Sequence, residues 1–330
     1  GPLIGGYLVD DYSWHLIFDV NVPVGLAAIL FAIFIQKEWR GARAGSFDWP
    51  GFLCVVCFMP LLIFALARGN SPLNPEGWSS PEVIGCFAVA AAALIVFIVR
   101  ELRCENPLLN LKLLGERNFG VSMAVLAIFG IGMLGGTYLL PLYMQKGLGY
   151  TAIMAGSVFL PVGLIQGVLS TCSGFLTRYI KPLFIAVTGI LVMTLSFYFA
   201  SRFTLHTTHA QIMLVLYLRG FGMGLTFAPL NDFSLMNLSQ RDMASAAGIS
   251  NSIKQLSGSV SIALLTVILT GRTAFHSAQG GLSSAESYVA GISDDFLFVT
   301  FVSLASALPF LWLLRPRRKA ASFKSEGTGT

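Results

Sequence analysis

The side chains best suited to bind a solute are polar residues inside a long apolar segment. Lys254 lies about nine residues into the apolar run 246–269. Four polar residues at −4, −3, +3 and +7 share its helix face, within about 60° at about 100° per residue: Ser250, Asn251, Ser257 and Ser261. Such a stripe either lines a water-filled cavity or forms a serine-mediated helix contact, with the Lys254 ammonium reaching toward water. We favour the cavity.

Two further ionisable residues lie in the apolar run 212–235. Arg219 and Asp232 are thirteen positions apart, so they point in different directions and form no pair within one helix. We expect Arg219 and Asp232 each to pair with a residue of another helix. Either residue could form a structural ion pair or take part in transport. Tyr138 and Gln145 are seven apart and share a helix face, either lining a cavity or hydrogen-bonding between helices.

Enzyme motifs do not account for these residues. The chain has no H-E-x-x-H, G-x-S-x-G or G-x-x-x-x-G-K-[ST] motif. The glycines of the run 130–135 match the dinucleotide fingerprint G-x-G-x-x-G, but they lie in an apolar run and not after a strand. We interpret them as close helix contacts, and Cys54 and Cys57 as packing residues. We therefore expect no enzyme, no cofactor and no metal site.

The elements that carry these residues are membrane helices. Apolar residues make up 55% of the 330-residue chain and charged residues 11%, with a mean hydropathy of +0.74. A soluble domain carries about 25% charged residues. Nine apolar runs have the length of a membrane-spanning helix: 16–35, 51–67, 83–99, 119–144, 152–176, 183–200, 212–235, 246–269 and 296–314. The predicted fold class is an all-α integral membrane protein.

The loops between these runs predict the orientation. About 15 basic residues fall on one side, including Lys37, Arg40, Arg43 and the tail after Leu314, against about four on the other. The positive-inside rule places the first side and the C-terminus in the cytoplasm. The longest external connection is expected at 272–294, as a loop rich in Gly, Ser and Ala. The net charge of +5 then reports orientation and not nucleic-acid binding.

The first residues form an apolar run of nine, which ends at Asp10. A spanning helix needs about 20 apolar residues. We therefore expect the sequence to begin within a helix, with Gly1 and Gly5 spaced as a small-x-x-x-small contact.

Several motifs, in order, resemble one transporter family. Gly1-Pro2-x-x-Gly5-Gly6 resembles the antiporter motif of the fifth helix in major facilitator drug exporters. The segments that follow resemble the fourteen-helix drug:proton antiporters of the EmrB/QacA type, from the passage 14–25 onward. Further matches are Phe47-Asp48-x-x-Gly51, Tyr138-Leu-Leu-Pro141, Arg219-Gly220-x-Gly222 and Lys254-Gln255-Leu256. The family more often has Arg at the position of Lys254 and Gly at that of Ser257.

The resemblance implies a major facilitator fold that begins within helix five, with about nine full transmembrane helices plus the end of a tenth. Residues 1–36 would complete an N-terminal six-helix half, and 37–118 would supply two extra linking helices. Residues 119–314 would form the C-terminal half, and 315–330 a cytoplasmic tail. Helices one to four, which carry the acidic proton-coupling residues in this family, would be missing.

The function implied is proton-coupled efflux of amphipathic or cationic small molecules by alternating access in the inner or plasma membrane. Its partners would be a drug-like substrate, protons and the bilayer; some relatives also use a periplasmic adaptor, and we expect no nucleic acid. Gly1, Pro2, Gly5 and Gly6 would shape the contact of helix five. Lys254, Asn251, Ser257, Tyr138, Gln145, Arg219 and Asp232 would line or support the cavity. The alternatives are a transporter for one metabolite or siderophore, or a receptor or scaffold that does not transport.

Overall fold

The computed structural model describes residues 2–35, 48–69, 71, 73–104 and 107–313. Nine helical segments within these ranges are long and apolar enough to cross a membrane, one for each apolar run of the sequence. No strand occurs in the described part of the chain. The all-α membrane prediction is therefore confirmed, since lipid offers no partner for backbone groups outside helices or closed barrels.

The first five α-helices lie in two groups. They are α1 (Pro2–Asp11), α2 (Leu16–Asp19), α3 (Asn21–Ile35), α4 (Trp49–Gly69) and α5 (Pro81–Arg103). Helices α4 and α5 pack against each other as a hairpin. The connection is closed by Asn74, whose Nδ2 donates to the Gly77 carbonyl at 2.8 Å. Gly77 has φ +54°, a conformation that favours glycine.

The other end of this hairpin is held by polar contacts. Arg100 Nε donates to Asp48 Oδ1 at 2.7 Å, and the same oxygen accepts the Gly51 N–H at 3.1 Å. Burial raises the pKa of the Asp48 carboxyl, but the hydrogen bonds from Gly51 and Arg100 outweigh it and leave that pKa below its usual value. Glu101, also buried, accepts the Leu109 N–H at 2.9 Å. These bonds tie the hairpin to the segment that enters the following bundle.

The remaining helices form one packed bundle. They are α6 (Arg117–Leu142), α7 (Ala152–Ser157), α8 (Phe159–Leu176), α9 (Pro182–Ala200), α10 (His209–Leu235), α11 (Met243–Ala278), α12 (Ser284–Ala305) and α13 (Leu308–Leu313). Helix α6 lies at its centre, in contact with α10, α11, α12 and α13. Between α6 and α7, Tyr143–Gly147 forms a π-helical turn, in which the Leu148 N–H reaches the Tyr143 carbonyl at 3.1 Å.

Local sequence signals set where several of these helices begin. Pro182 occupies the first turn of α9, a position where its missing N–H carries no penalty. Helix α10 begins with a capping box between Thr208 and Gln211, and α12 with one between Ser283 and Glu286. In each box the side chains bond reciprocally to backbone N–H groups that have no intrahelical acceptor.

The expected external loop at 272–294 is wrong. Helix α11 continues to Ala278 and α12 begins at Ser284, so only a short turn separates them. Gly280 and Gly281 make this turn with φ +74° and +84°. The composition of the segment suggested a loop, but the Ser283–Glu286 capping box starts a helix inside it.

The division at residues 36, 118 and 314 stays a prediction. The structure describes α1–α3, the α4–α5 hairpin and the α6–α13 bundle as successive groups of helices. The predicted cytoplasmic tail 315–330, Gly1 and the basic residues Lys37, Arg40 and Arg43 lie outside the described residues.

Candidate functional site

A cavity of about 340 Å³ lies between helices α6, α8, α10 and α11. Its lining combines polar and apolar groups: Met123, Leu126, Ser170, Phe227, Ala228, Leu230, Asn231, Ser234, Ser250 and Lys254. A larger cleft of about 530 Å³ opens at the start of α6, but its walls are mostly apolar and do not include Lys254. The polar cavity has the concave, mixed lining that is typical of small-molecule sites.

Lys254 contributes the positive charge of this cavity. It lies in the first third of α11, and its ammonium Nζ stands 6.0 Å from the centre of the Phe227 ring of α10. A cation at this distance from an aromatic face is attracted by the ring quadrupole. Ser250, one turn before Lys254, lines the same cavity while its hydroxyl donates to the Ala246 carbonyl at 2.8 Å. The cavity therefore offers a cation, an aromatic face and hydroxyl groups.

The polar stripe on α11 divides between two surroundings. Ser257 and Ser261 are buried against α6, where the Ser261 hydroxyl donates to the Ile131 carbonyl at 2.6 Å. Asn251 is exposed and does not line the cavity. Lys254 and Ser250 thus face the cavity, whereas Ser257 and Ser261 form a serine-mediated helix contact. Both alternatives drawn from the sequence occur on one helix.

The glycine-rich run of α6 provides the other side of that contact. A side chain at Gly130 would meet the Ser257 Cβ at 3.0 Å, and one at Gly135 would meet a Leu265 methyl at 2.5 Å. The missing side chains let α6 and α11 approach closely. The interpretation of the G-x-G-x-x-G match as a helix contact is confirmed.

Arg219 is buried at 2% exposure where α10 meets α6. Its Nη2 donates to the Met133 carbonyl at 3.0 Å and also to the Thr137 hydroxyl, while its Nη1 has no partner among the described residues. The partner helix that we expected for Arg219 is therefore α6, through uncharged acceptors. Asp232 is exposed near the end of α10.

Tyr138 and Gln145 do not come together. The half-buried Tyr138 hydroxyl lies 3.2 Å from the Thr266 hydroxyl of α11, an interhelical hydrogen bond. Gln145 is exposed inside the π-helical turn Tyr143–Gly147. The extra residue of a π turn changes the register after Leu142, so the seven-residue spacing no longer places the two side chains on one face.

The glycine motif near the N-terminus lies on α1. Gly6 is buried against α7, and a side chain there would meet the Ala152 carbonyl oxygen at 2.5 Å. Gly5 has open space around it, the backbone of Pro2 begins the helix, and Gly1 lies outside the described residues. Asp10 completes the contact, since its carboxylate accepts the Ile153 N–H at 2.6 Å. Gly6 and Asp10 thus hold α1 against the start of α7.

Sequence reasoning missed two features. Asp295 is a fully buried carboxyl on α12 and lies one residue outside the predicted span 296–314. The sequence does contain a pattern that indicates this position, because the capping box at Ser283 predicts the start of a helix that includes Asp295. Asp10 was treated as the end of an apolar run, and its partner on α7 is 142 positions away. No local pattern indicates such a contact.

Comparisons with known proteins agree with this architecture. The family model described as Major Facilitator Superfamily matches residues 1–262. The chain is 31% identical over 280 residues to the uncharacterized MFS-type transporter YhcA of Bacillus subtilis, covering 84% of this chain and 52% of that protein. It is 30% identical over 282 residues to the multidrug export protein EmrB of Escherichia coli, covering 84% and 54%.

A third relative is matched over more of the chain. The puromycin resistance protein pur8 of Streptomyces alboniger is 28% identical over 334 residues, which cover 98% of this chain and 64% of that protein. The chain spans about half the length of YhcA and EmrB. The family match extends over most of the nine spanning helices and includes the α1–α7 contact and the Lys254 cavity. The chain therefore belongs to the Major Facilitator Superfamily, a family of multi-pass membrane transporters and not of enzymes.

Proposed function

We propose that this chain forms part of a proton-coupled exporter of amphipathic or cationic small molecules that works by alternating access. The observation that carries the proposal is the Lys254 cavity, enclosed by four membrane helices and lined by Phe227, Ser250 and Asn231. The relatives named for multidrug export and puromycin resistance support the substrate class.

The cavity chemistry favours amphipathic solutes. The Phe227 ring and the apolar wall accept an aromatic or aliphatic body, and the Lys254 ammonium and the hydroxyl groups accept a polar end. The positive charge of Lys254 repels permanently cationic substrates. Such a substrate binds only if a negative charge, on a residue of the protein or on the substrate itself, compensates Lys254. We therefore expect the removal of Lys254 to affect the extrusion of neutral and of cationic dyes differently.

The proposed setting is the inner or plasma membrane, with the C-terminus in the cytoplasm, in accord with the basic residues of the loops. The partners that we propose are a drug-like substrate, protons and the bilayer. A periplasmic adaptor is the one protein partner that the resemblance suggests, and its need is tested by extrusion with and without such a protein.

The test measures extrusion from cells that lack other efflux pumps and express the whole exporter of which this chain is proposed to form part. We expect extrusion of a neutral amphipathic dye to fall at least tenfold when a protonophore collapses the gradient. Lys254→Ala is expected to cause a similar loss for this dye, a tenfold change being about 1.4 kcal/mol. The exposed Lys112, outside the cavity, provides the matched control Lys112→Ala with unchanged extrusion.

Two results would contradict the proposal. Extrusion that persists after the proton gradient is collapsed would exclude proton coupling. Equal extrusion by the wild type and Lys254→Ala for both the neutral dye and a cationic dye would remove Lys254 from the substrate site. A gain in cationic-dye extrusion by Lys254→Ala, with a loss for the neutral dye, would support the cavity and restrict the substrates to amphipathic molecules.

A further inference from the structure

Asp295 is an unpaired acid in the interior of the bundle. Its side chain on α12 is 0% exposed, and neither carboxyl oxygen has a hydrogen-bond partner in the described part of the chain. An ionised carboxylate without partners is expensive to bury, and such a group takes up a proton and becomes neutral. An ionisable residue of this kind inside a membrane helix is a functional-site candidate.

The neighbouring Asp294 has the opposite surroundings. Its Oδ2 lies 2.6 Å from Arg272 Nε and 2.8 Å from His276 Nε2, both on α11. Arg272 and His276 are therefore engaged by Asp294 and not by Asp295. The negative charge of Asp294, one residue away, further disfavours a second charge on Asp295.

The titratable groups on the packed elements around Asp295 do not neutralise it. The elements in contact with α12 are α6, α9, α11 and the π-helical turn. Their titratable or charged groups near this half of the bundle are Tyr138, Tyr198, Arg272, His276, Tyr143 and Lys146. The Tyr143 hydroxyl donates to the Thr204 carbonyl at 2.7 Å, and Tyr138 bonds Thr266. On α12 itself, the half-buried Tyr288 lies seven positions before Asp295, about two helical turns away.

Further unpartnered polar atoms lead from the start of α12 toward Asp295. The hydroxyls of Ser287 on α12 and Thr273 on α11 are buried and have no hydrogen-bond partner among the described residues. Ser287, Gly291 and Asp295 are four residues apart and lie along one side of α12, a rise of about 12 Å in total. Thr273 of α11 lies against this side of α12 at Gly291. A Cβ added to Gly291 would lie 2.6 Å from the Thr273 hydroxyl oxygen. We call Ser287, Thr273 and Asp295 the polar row.

The polar row fits a path for water. Buried hydroxyl and carboxyl groups without protein partners are commonly satisfied by ordered water, and water needs two to four polar partners in reach. The row supplies three such groups between the Ser284 end of α12 and the middle of that helix, with the Thr273 hydroxyl of α11 lying against Gly291 at its centre.

We propose that Asp295 is a proton-binding residue of the transport cycle, reached by water along the polar row from the Ser284 end of α12. In the present conformation its carboxyl is neutral. When α12 moves against α6 and α11, the carboxyl O–H bond breaks, the proton passes to a water molecule and the electron pair stays on the carboxylate. This inference deepens the proposed function and rests on it for the coupling, while the protonation itself is measurable without transport.

The protonation is tested on the full chain in lipid nanodiscs by infrared difference spectroscopy at pH 7. We expect Asp295→Asn to remove a carbonyl band of a protonated carboxyl, and Asp295→Glu to shift that band. Asp294→Asn is the matched control, expected to remove carboxylate bands only. Loss of a carboxylate band in Asp295→Asn, or no change at all, would overturn the proposal. Gel filtration and the apparent melting temperature establish that each variant is folded.

The path is tested by hydrogen–deuterium exchange of the same band. We expect Ser287→Ala and Thr273→Val each to slow the exchange at least fivefold. Thr270→Val is the control, because the exposed Thr270 hydroxyl bonds only to the Thr266 carbonyl of its own helix, at 2.8 Å. Exchange at the wild-type rate in both row variants would refute the path.

Transport separates the coupling role from the proposed function. In Asp295→Asn we expect dye binding to persist, while extrusion no longer responds to the proton gradient. A whole wild-type exporter without gradient-driven extrusion would contradict the proposed function and leave the infrared result standing. A variant with wild-type dependence on the gradient would contradict the role of Asp295 alone.

Discussion

Arg219 illustrates how single residues in this bundle depend on what lies opposite them. Its guanidinium occupies the space beside Gly136, where an added Cβ would lie 2.5 Å from Nη1 and 2.5 Å from a Phe197 ring carbon. A buried guanidinium needs acceptors, and here the Met133 carbonyl and the Thr137 hydroxyl provide them. Gly136 therefore controls whether Arg219 can reach α6.

We predict that Gly136→Ala destabilises the chain by about 1–3 kcal/mol, because the methyl group overpacks the contact and displaces Arg219. The measurement is the apparent melting temperature of the purified protein in detergent. Gly271→Ala on α11 is the matched control, since nothing lies within 4 Å of the added Cβ. We expect that control to be neutral or slightly stabilising, because Ala favours a helix. Equal melting temperatures for the wild type and Gly136→Ala would contradict the contact.

At the scale of elements, α1 is held to the bundle by a few polar and glycine contacts. The carboxylate of Asp10 accepts the N–H groups of Ala152 at 3.3 Å and Ile153 at 2.6 Å, the first two residues of α7. These N–H groups have no acceptor within α7 itself. Gly6 allows the two backbones to approach beside this cap. Helix α3, by contrast, has no buried residue among the described parts of the chain.

We predict that Asp10→Ala loosens α1 from α7. In a background without the native cysteines, the rate at which a membrane-impermeant thiol reagent labels Ile153→Cys should rise about fivefold, the equivalent of about 1 kcal/mol for a lost cap. The neighbouring exposed Asp11 provides the control Asp11→Ala, expected to leave the rate unchanged. The same rate in both variants would show that the Asp10 cap does not hold this contact.

The whole molecule combines three groups of helices that differ in how much of their surface is buried. In the bundle from α6 to α13, 22% to 61% of the most apolar 18-residue stretch of each spanning segment is buried, against 17% in α4 and in α5. The segment that follows the hairpin bonds to the bundle, with Asn110 Nδ2 donating to Asp242 Oδ1 at 3.2 Å. The hairpin therefore leaves most of its apolar surface uncovered by the other described helices.

The proposed orientation leads to a prediction for the loops. In intact cells, an impermeant thiol reagent should label His206→Cys, between α9 and α10, and should not label Gln240→Cys, between α10 and α11. Both positions are exposed, so accessibility differs only through the membrane. Permeabilised cells, in which both variants should react, provide the control. Labelling of Gln240→Cys alone in intact cells would show that the orientation is the opposite of the one proposed.

Much of the fold follows from the sequence because lipid imposes a simple rule on long apolar segments. All nine predicted runs correspond to helices capable of crossing a membrane, since only intrahelical bonds satisfy the backbone in an open segment. The site followed in part: the α11 stripe indicated Lys254 and Ser250 as cavity residues. The sequence did not indicate Asp295 as a membrane residue. The predicted span that follows the loop-like segment begins at 296, twelve residues after the observed start of α12 at Ser284.

The sequence by itself determined the class of molecule, the number of spanning segments and the polar face of α11, because hydropathy and helical period are local properties. Only the tertiary structure decided that Lys254 faces a cavity while Ser257 packs on Gly130, that Arg219 bonds to α6, and that Asp295 has no partner. Each of these outcomes depends on which face of another helix lies opposite, often more than 80 positions away. The spacing of residues within one helix carries no information about that neighbour.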